Sequence, residues 1–529
     1  MKPRDLIALT LTALAADVSG CSTRPIEQPA HPTSAELVVA TDGPDGPARP
    51  ILPKPMKMGD FERGRSVFRF ETFGTEGFWT DAVRLPQGMA KQKFTVVSGL
   101  REGMHFDADA MPPKLRRGIE QEVHGDLSPE RARLMNDPSI FAQLVRENAV
   151  IGMVERNGKR GITCALCHTI TDNSVFAMGD KGSIGRRVDG PTPHSLEVGH
   201  LLADAANSRA LYPLLQIDLG GASIGRTPTY RLNKGSTEQE VDAYLTDREA
   251  WPPGTFDETP DGVGNPIRIL PLFRQGLAAP YGSSGQNDQA DDFGNAVFTL
   301  IFDQTNLLSP GGRRFLHALG GAAGDKIIAD YTHILEATNV RGAPYVATAT
   351  VGPDVTPAFP SGKRVDDAKL LDLNAYLAGL RAPGGHAEQA DQVARGRATF
   401  RAKCTSCHGV DPSQPVDTRL IPMTAIWPGY RPKVIAMRDS PLTPIQDSPG
   451  TFDDKMIVVD ASPLGGQRGN ALPLLLDLAR KPVFLHDDSV PSLNELMNPA
   501  RGPTAPHPFY IEGPAARTDV AAFLRSLGG

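Results

Sequence analysis

Two five-residue stretches carry the chemistry this chain can do: Cys164-Ala165-Leu166-Cys167-His168 and Cys404-Thr405-Ser406-Cys407-His408. Two thiols three positions apart, with a histidine directly after the second, form the attachment signature of c-type haem. On a tight helical turn both sulfurs reach the vinyl groups along one edge of a porphyrin. The histidine then comes under the iron as proximal ligand, and the porphyrin with its axial ligands carries the redox chemistry. A zinc site built from four thiolates would not call for a histidine after each pair. The chain holds five cysteines, of which the motifs use four. The spacing predicts two covalently bound haems, held by Cys164, Cys167, Cys404 and Cys407, with His168 and His408 on the irons.

Such motifs need elements to position them, and an internal repeat supplies candidates. Arg63-Gly64-Arg65-Ser66-Val67-Phe68 parallels Arg395-Gly396-Arg397-Ala398-Thr399-Phe400, ahead of each motif. Behind the motifs, the stretch from Asp372 to Leu380 (DLNAYLAGL) parallels that from Asp519 to Leu527 (DVAAFLRSL). Phe61, Gly64 and Phe68 fall on one face of a helix expected over 60–70. The two later stretches place apolar residues at i, i+3, i+4 and i+7, the mark of an amphipathic helix. Each motif is therefore bracketed by an opening helix with Gly-x-x-x-Phe and a closing helix with an aromatic residue and leucines. Two unrelated amphipathic helices in each half would not share this order. A glycine in the opening helix would let a crossing helix approach closely.

The halves are unequal. Cys404 follows Phe400 almost at once, so 386–529 reads as a compact haem domain. In the first half, 57–385, 95 residues separate Phe68 from Cys164, and long loop-rich insertions are expected. Within them, 137–149 reads as a helix with Asp137 as N-cap and Pro138 at its first position. Residues 150–154 (VIGMV) suggest a short strand leading to the motif. From 220 to 303 the glycines, prolines and acids predict mostly loop, of a length that is usually functional or disordered. Its acidic run, 288–292, is a candidate calcium-holding segment, with a solvated surface as the plainer reading.

Residues 1–20 read as an export signal: Lys2 and Arg4, then an apolar run from Leu6 to Ala16 too short to span a bilayer. Val18-Ser19-Gly20-Cys21 resembles a bacterial lipobox, which would acylate Cys21 and anchor the protein to a membrane. The alternative is an ordinary cleaved signal with an incidental cysteine, and Asp17 sits awkwardly in a lipobox. Eight prolines within 22–55 make the stretch 21–56 a tether. Export suits the periplasm, where c-type haem is attached. A net charge of -6 and a pI near 6.1, without a basic run, argue against a nucleic-acid partner.

The order of opening helix, haem motif and closing helix resembles the cytochrome c fold, and its duplication in one exported chain resembles the di-haem cytochrome c peroxidase superfamily. That group includes the di-haem rubber oxygenases. The resemblance covers the motifs, the bracketing helices and the stretch from Lys481 to Leu493 (KPVFLHDDSVPSL), not most of 90–160 or 200–360. It implies a mainly α fold of two cytochrome c-like domains, the first enlarged by insertions, and the lipobox reading adds an anchor to the outer membrane. It also implies electron transfer with protein donors and acceptors, or peroxide reduction at an open N-terminal haem, or less directly a rubber-oxygenase type of chemistry. A peroxidase needs a distal acid–base group. Glu197, in the stretch from Pro191 to His200, is the candidate, with a surface carboxylate as the plainer reading. His194, His200 or Met178 could instead close the distal face. In the C-terminal half, the related peroxidases carry an iron-binding methionine where this chain has Leu485. His486 is therefore expected as the distal ligand of the second haem, with Met423, Met437 and Met456 as rivals and a metal-free loop histidine as the plain alternative.

Overall fold

The computed structural model describes residues 55–215 and 232–405, His408, 420–421, 470–471 and 473–528, apart from scattered positions within 249–286, at 353 and within 486–506. The described residues are mainly helical, with short strand pairs between the helices. The signal, the lipobox cysteine Cys21, Cys407, Met423, Met437, Met456 and His486 lie outside the described residues.

Asp60 starts the opening helix Phe61–Phe70, its carboxylate accepting the Arg63 N–H at 2.8 Å. Gly64 lies under the closing helix Asp367–Gly379 so tightly that a Cβ there would stand 1.9 Å from the carbonyl oxygen of Asp372. Arg63 clasps the same residue, Nε and Nη2 donating to the Asp372 carboxylate at 2.7 and 3.0 Å. One turn on, the rings of Phe68 and Tyr376 meet with centroids 5.4 Å apart, tilted by 52°. The second half repeats each of these contacts. A Cβ on Gly396, in helix Ala390–Lys403, would stand 1.9 Å from the carbonyl oxygen of Asp519, in helix Pro514–Ser526. Arg395 donates to the Asp519 carboxylate at 2.8 and 3.0 Å. The rings of Phe400 and Phe523 stand 5.4 Å apart, tilted by 55°. Phe68 and Phe400 are both buried, a contribution of roughly 1.5–3 kcal/mol for each fully buried phenylalanine side chain.

Each crossing sits in its own buried apolar cluster. The larger runs from Val67 to Ala382 with Leu476 added, and the smaller gathers Phe400, Val490, Leu493, Ile511 and Phe523.

The insertion before the first motif differs from expectation in register. The helix forms at Pro138–Arg146, capped by Asp137, which accepts the Ser139 N–H at 2.8 Å. Residues 150–154 do not form one strand. Val150 makes a single bridge to Phe106, and the left-handed Gly152 (φ 81°) breaks the run. The strand begins after it, as a hairpin of Met153–Arg156 with Lys159–Ile162, Met153 facing Ile162. Asn157 and Gly158 turn it with φ 51° and 74°, the left-handed pair that a two-residue hairpin turn requires.

The stretch 220–303 is more structured than its composition predicts. Residues 216–231 lie outside the described residues. Beyond them, helix Glu238–Thr246 starts at a capping box, the Thr237 hydroxyl taking the Glu240 N–H while the Glu240 carboxylate takes that of Thr237. Helix Ala290–Ala296 then runs into a wide turn, Val297–Ile301. In the acidic run only Asp288 is exposed at the surface, and among the described residues the run is part of no metal-binding group. Asp291 and Asp292 both receive the guanidinium of Arg364, at 2.6 and 2.7 Å.

Candidate haem-attachment sites

The hairpin ends on Thr163, which seats the first motif. Its N–H donates to the Gly152 carbonyl at 3.0 Å and its hydroxyl to that of Arg69 at 3.1 Å. Cys164 then begins the short helix Ala165–His168. A Cβ on Gly152 would stand 2.1 Å from the Leu166 backbone, so only glycine lets the hairpin root pack on this turn.

Beyond His168, strand Thr169–Thr171 pairs with Arg187–Asp189, Thr169 facing Asp189. The buried Asp189 carboxylate accepts three bonds: from the Thr169 hydroxyl at 2.9 Å, Arg69 Nε at 2.6 Å and the Tyr376 hydroxyl at 2.5 Å. One carboxylate thus joins the opening helix, the closing helix and the strand that leaves the motif. Burial raises the Tyr376 phenol, and the Asp189 charge adds to the effect, so the ring keeps its proton and donates.

The carbonyl of His168 accepts the Gly190 N–H at 2.7 Å, and that of Gly190 accepts the Leu272 N–H at 2.8 Å, drawing 268–272 alongside the motif. Burial pulls the His168 imidazole down to about 4, opposed by the nearby Leu270 backbone. Its Nδ1 is buried without a well-formed hydrogen bond. The neutral ring is the form that binds a metal. Cys164 and Cys167 are both free, and burial pushes both thiols up to about 12. Two unlinked thiols and a half-buried imidazole with a buried Nδ1, within five residues, are a donor set that fits covalent haem.

In the second half, Cys404 closes helix Ala390–Lys403, donating its N–H to Phe400 at 2.8 Å, and the His408 N–H donates to Cys404 at 2.9 Å. The backbone turn thereby brings His408 back under Phe400, ring centroids 6.4 Å apart. On another side stands His507, 6.5 Å from His408 between centroids, the rings tilted by 40°. Two imidazoles sharing an iron through bonds of about 2 Å, as in other histidine–metal sites, hold their centroids roughly 6 Å apart. His507 is half-buried, with Nδ1 buried and unpartnered among the described residues. Burial, with the neighbouring His408 and Arg501, pulls it down to about 3. Its backbone is left-handed (φ 55°), a strained conformation of the kind that gathers at ligand sites. The sequence reading passed over His507, although Pro506-His507-Pro508 fixes a histidine between two stiff residues inside the second domain.

Other candidates fall elsewhere. Glu197 is buried rather than on the surface. It accepts Lys181 Nζ at 2.9 Å and pairs with Arg248, while His200 Nδ1 stands 3.5 Å away. Burial pushes its carboxyl up, but the bonds from His200 and Lys181 and the two cations outweigh that and hold it below the usual range. A carboxylate so held is a poor proton acceptor for a distal site. His194 is a half-buried loop residue whose buried Nδ1 has no partner among the described residues. Met178 is half-buried at the margin of the larger core.

No family model matches the chain, and no curated protein matches it. Among solved structures, Kuenenia stuttgartiensis hydrazine synthase pressurised with 20 bar xenon is similar at 13% identity, over 60% of this chain and 86% of that one, with a TM-score of 0.27. A likeness of that size carries no argument about fold or chemistry.

Proposed function

We propose that the protein is an exported di-haem c-type cytochrome that transfers electrons between partner proteins. Bound haem would supply one-electron redox chemistry at its iron. Cys164 and Cys167 would attach the first haem and Cys404 and Cys407 the second. His168 and His408 would serve as proximal ligands. The observation that carries the reading is the duplicated crossing: in each half a glycine lies under an aspartate carbonyl beside a C-x-x-C-H motif. His507 would give the second iron a second imidazole, which suits electron transfer because it leaves no open position there. The neutral state of His168 supports ligation at the first iron, and the engaged Glu197 favours electron transfer over peroxide reduction.

The domains 57–385 and 386–529, a location in the periplasm and an outer-membrane anchor through acylated Cys21 belong to the same proposal. The deciding experiment is haem content after denaturation. Two haems per chain should resist extraction by acidic organic solvent, and Cys404→Ala with Cys407→Ala should remove one. Extraction of both from the native sequence rejects the reading.

A further inference from the structure

Where the two cores meet, three cationic side chains gather around two carboxylates among the described residues. Arg268, ending the strand Ile267–Arg268, donates through Nε to Asp488 at 2.6 Å and also through Nη2. Its Nη1 points to the carbonyl of His194 at 3.4 Å. The two side chains of this ion pair are only 4% and 10% exposed. Beside them, the Lys481 ammonium lies 5.6 Å over the Phe484 ring, and Arg480 pairs with Asp477. Among the described residues, three cations thus meet two carboxylates. His194 Nδ1, also buried here, has no partner among the described residues. Burial pulls Lys481 down to about 8 and His194 to about 3, the neighbouring cations adding to the effect on both. Lys481 is half-buried and lies against an aromatic ring, and a partly desolvated cation without a full counter-ion favours an anion beside it.

The chain indicates which anion. Arg268 lies two residues before Leu270, whose backbone stands beside the His168 imidazole. The cluster is therefore one short step along the chain from the first attachment stretch. The anionic groups of a haem are its two propionates. We propose that Lys481 and His194, flanking Arg268, hold a propionate of the haem attached at Cys164 and Cys167. The inference rests on the haem reading above and adds a coupling to it. Lys481 and Asp488 belong to the second half, so a side chain of one half sets the electrostatics of the haem in the other. A cation against a propionate stabilises the reduced, more negative haem and raises its potential.

The test is a spectroelectrochemical titration of the full-length, haem-loaded protein, with haem content per chain measured first. Lys481→Gln should lower the potential of the haem that survives Cys404→Ala with Cys407→Ala. At the wild-type midpoint its ratio of reduced to oxidised form should fall about tenfold, which is about 59 mV for one electron. Lys481→Arg should restore the ratio, and Lys114→Gln, on the exposed surface, should leave it alone. Should Lys481→Gln not accumulate, His194→Leu reads the same contact and should shift the same haem. Two haems per chain with both potentials unmoved overturns the propionate site while leaving the haem reading intact. A wild-type potential that shifts instead with added phosphate marks a free-anion site and also overturns it. Absence of the first haem is a failure of the parent reading.

Discussion

His408 and His507 bring their ring centroids to 6.5 Å across a gap that no described side chain bridges with a hydrogen bond to His507 Nδ1. They come from opposite ends of the second half, one just after the opening helix and the other just before the closing one. A half-buried histidine with a buried, unpartnered Nδ1 at that distance from the proposed proximal ligand His408 is placed to bind a metal. His507→Ala should therefore convert one low-spin ferric haem to high-spin and leave the other unchanged, read by electron paramagnetic resonance. His486→Ala is the competing substitution. If it produces the conversion and His507→Ala does not, the ligand is His486.

The helix crossings predict position-specific damage. A side chain at Gly64 or Gly396 must displace a backbone carbonyl 1.9 Å away, and carbonyls in packed helices yield only if the helices part. Gly64→Val and Gly396→Val should each cost upwards of 1–3 kcal/mol, about the usual range for overpacking. Thermal melting followed at each haem's absorption should show each variant lowering the midpoint of its own half first. Equal effects of both variants on both haems would mean that the halves do not unfold separately.

Acid–base behaviour should be set by a carboxyl pair away from the haems. Glu102 Oε2 and Asp204 Oδ2 are buried with no donor. Burial, then the charges of Asp204 and Glu197, raises Glu102 to about 9, and burial raises Asp204 to about 7. Carboxyls in the unfolded chain titrate near about 4, so the folded state retains protons that the unfolded state releases. The pair's contribution is full below about pH 4 and falls steadily above it, until pH passes about 7 for Asp204 and about 9 for Glu102. Glu102→Gln should flatten the fall in stability between pH 6 and 9, measured by urea unfolding. An unchanged slope would mean that the pair does not share a proton.

Much of this arrangement is legible in the sequence because it rests on local rules. C-x-x-C-H declares its chemistry by spacing, and Arg-Gly-x-x-x-Phe names its crossing because only glycine fits under a carbonyl. Asp137 before Pro138 marks a helix start for the same kind of reason. The misread elements depended on details that composition hides. Thr237 and Glu240 cap a helix inside a stretch whose glycines and prolines suggest loop, and Asn157-Gly158 moves a strand three residues along. The packing of Asp189 is out of reach of such rules, because its partners lie far away in sequence. Asp189 meets Tyr376, 187 positions on, and no pattern within either segment announces that meeting.

Asp189 supports the last prediction, because the second half solves the same packing problem without it. At the place of Tyr376 that half has Phe523, stacked on Phe400 as Tyr376 is on Phe68. The tyrosine ring is therefore needed for packing, and its hydroxyl for the bond to Asp189. Tyr376→Phe keeps the ring and removes one hydrogen bond, a loss of about 1 kcal/mol, and haem content should stay at two per chain. Asp189→Ala is a different injury. It strands the Arg69 guanidinium, which is only 27% exposed, and frees the strand that leaves His168. Breaking a buried pair from one side costs about 3–5 kcal/mol, enough to loosen the first attachment turn. Asp189→Ala should therefore lose covalent haem at Cys164 and Cys167 and keep it at Cys404 and Cys407, as counted by pyridine haemochrome and mass of the denatured chain. Equal loss at both motifs would show that Asp189 stabilises the whole chain rather than the first site.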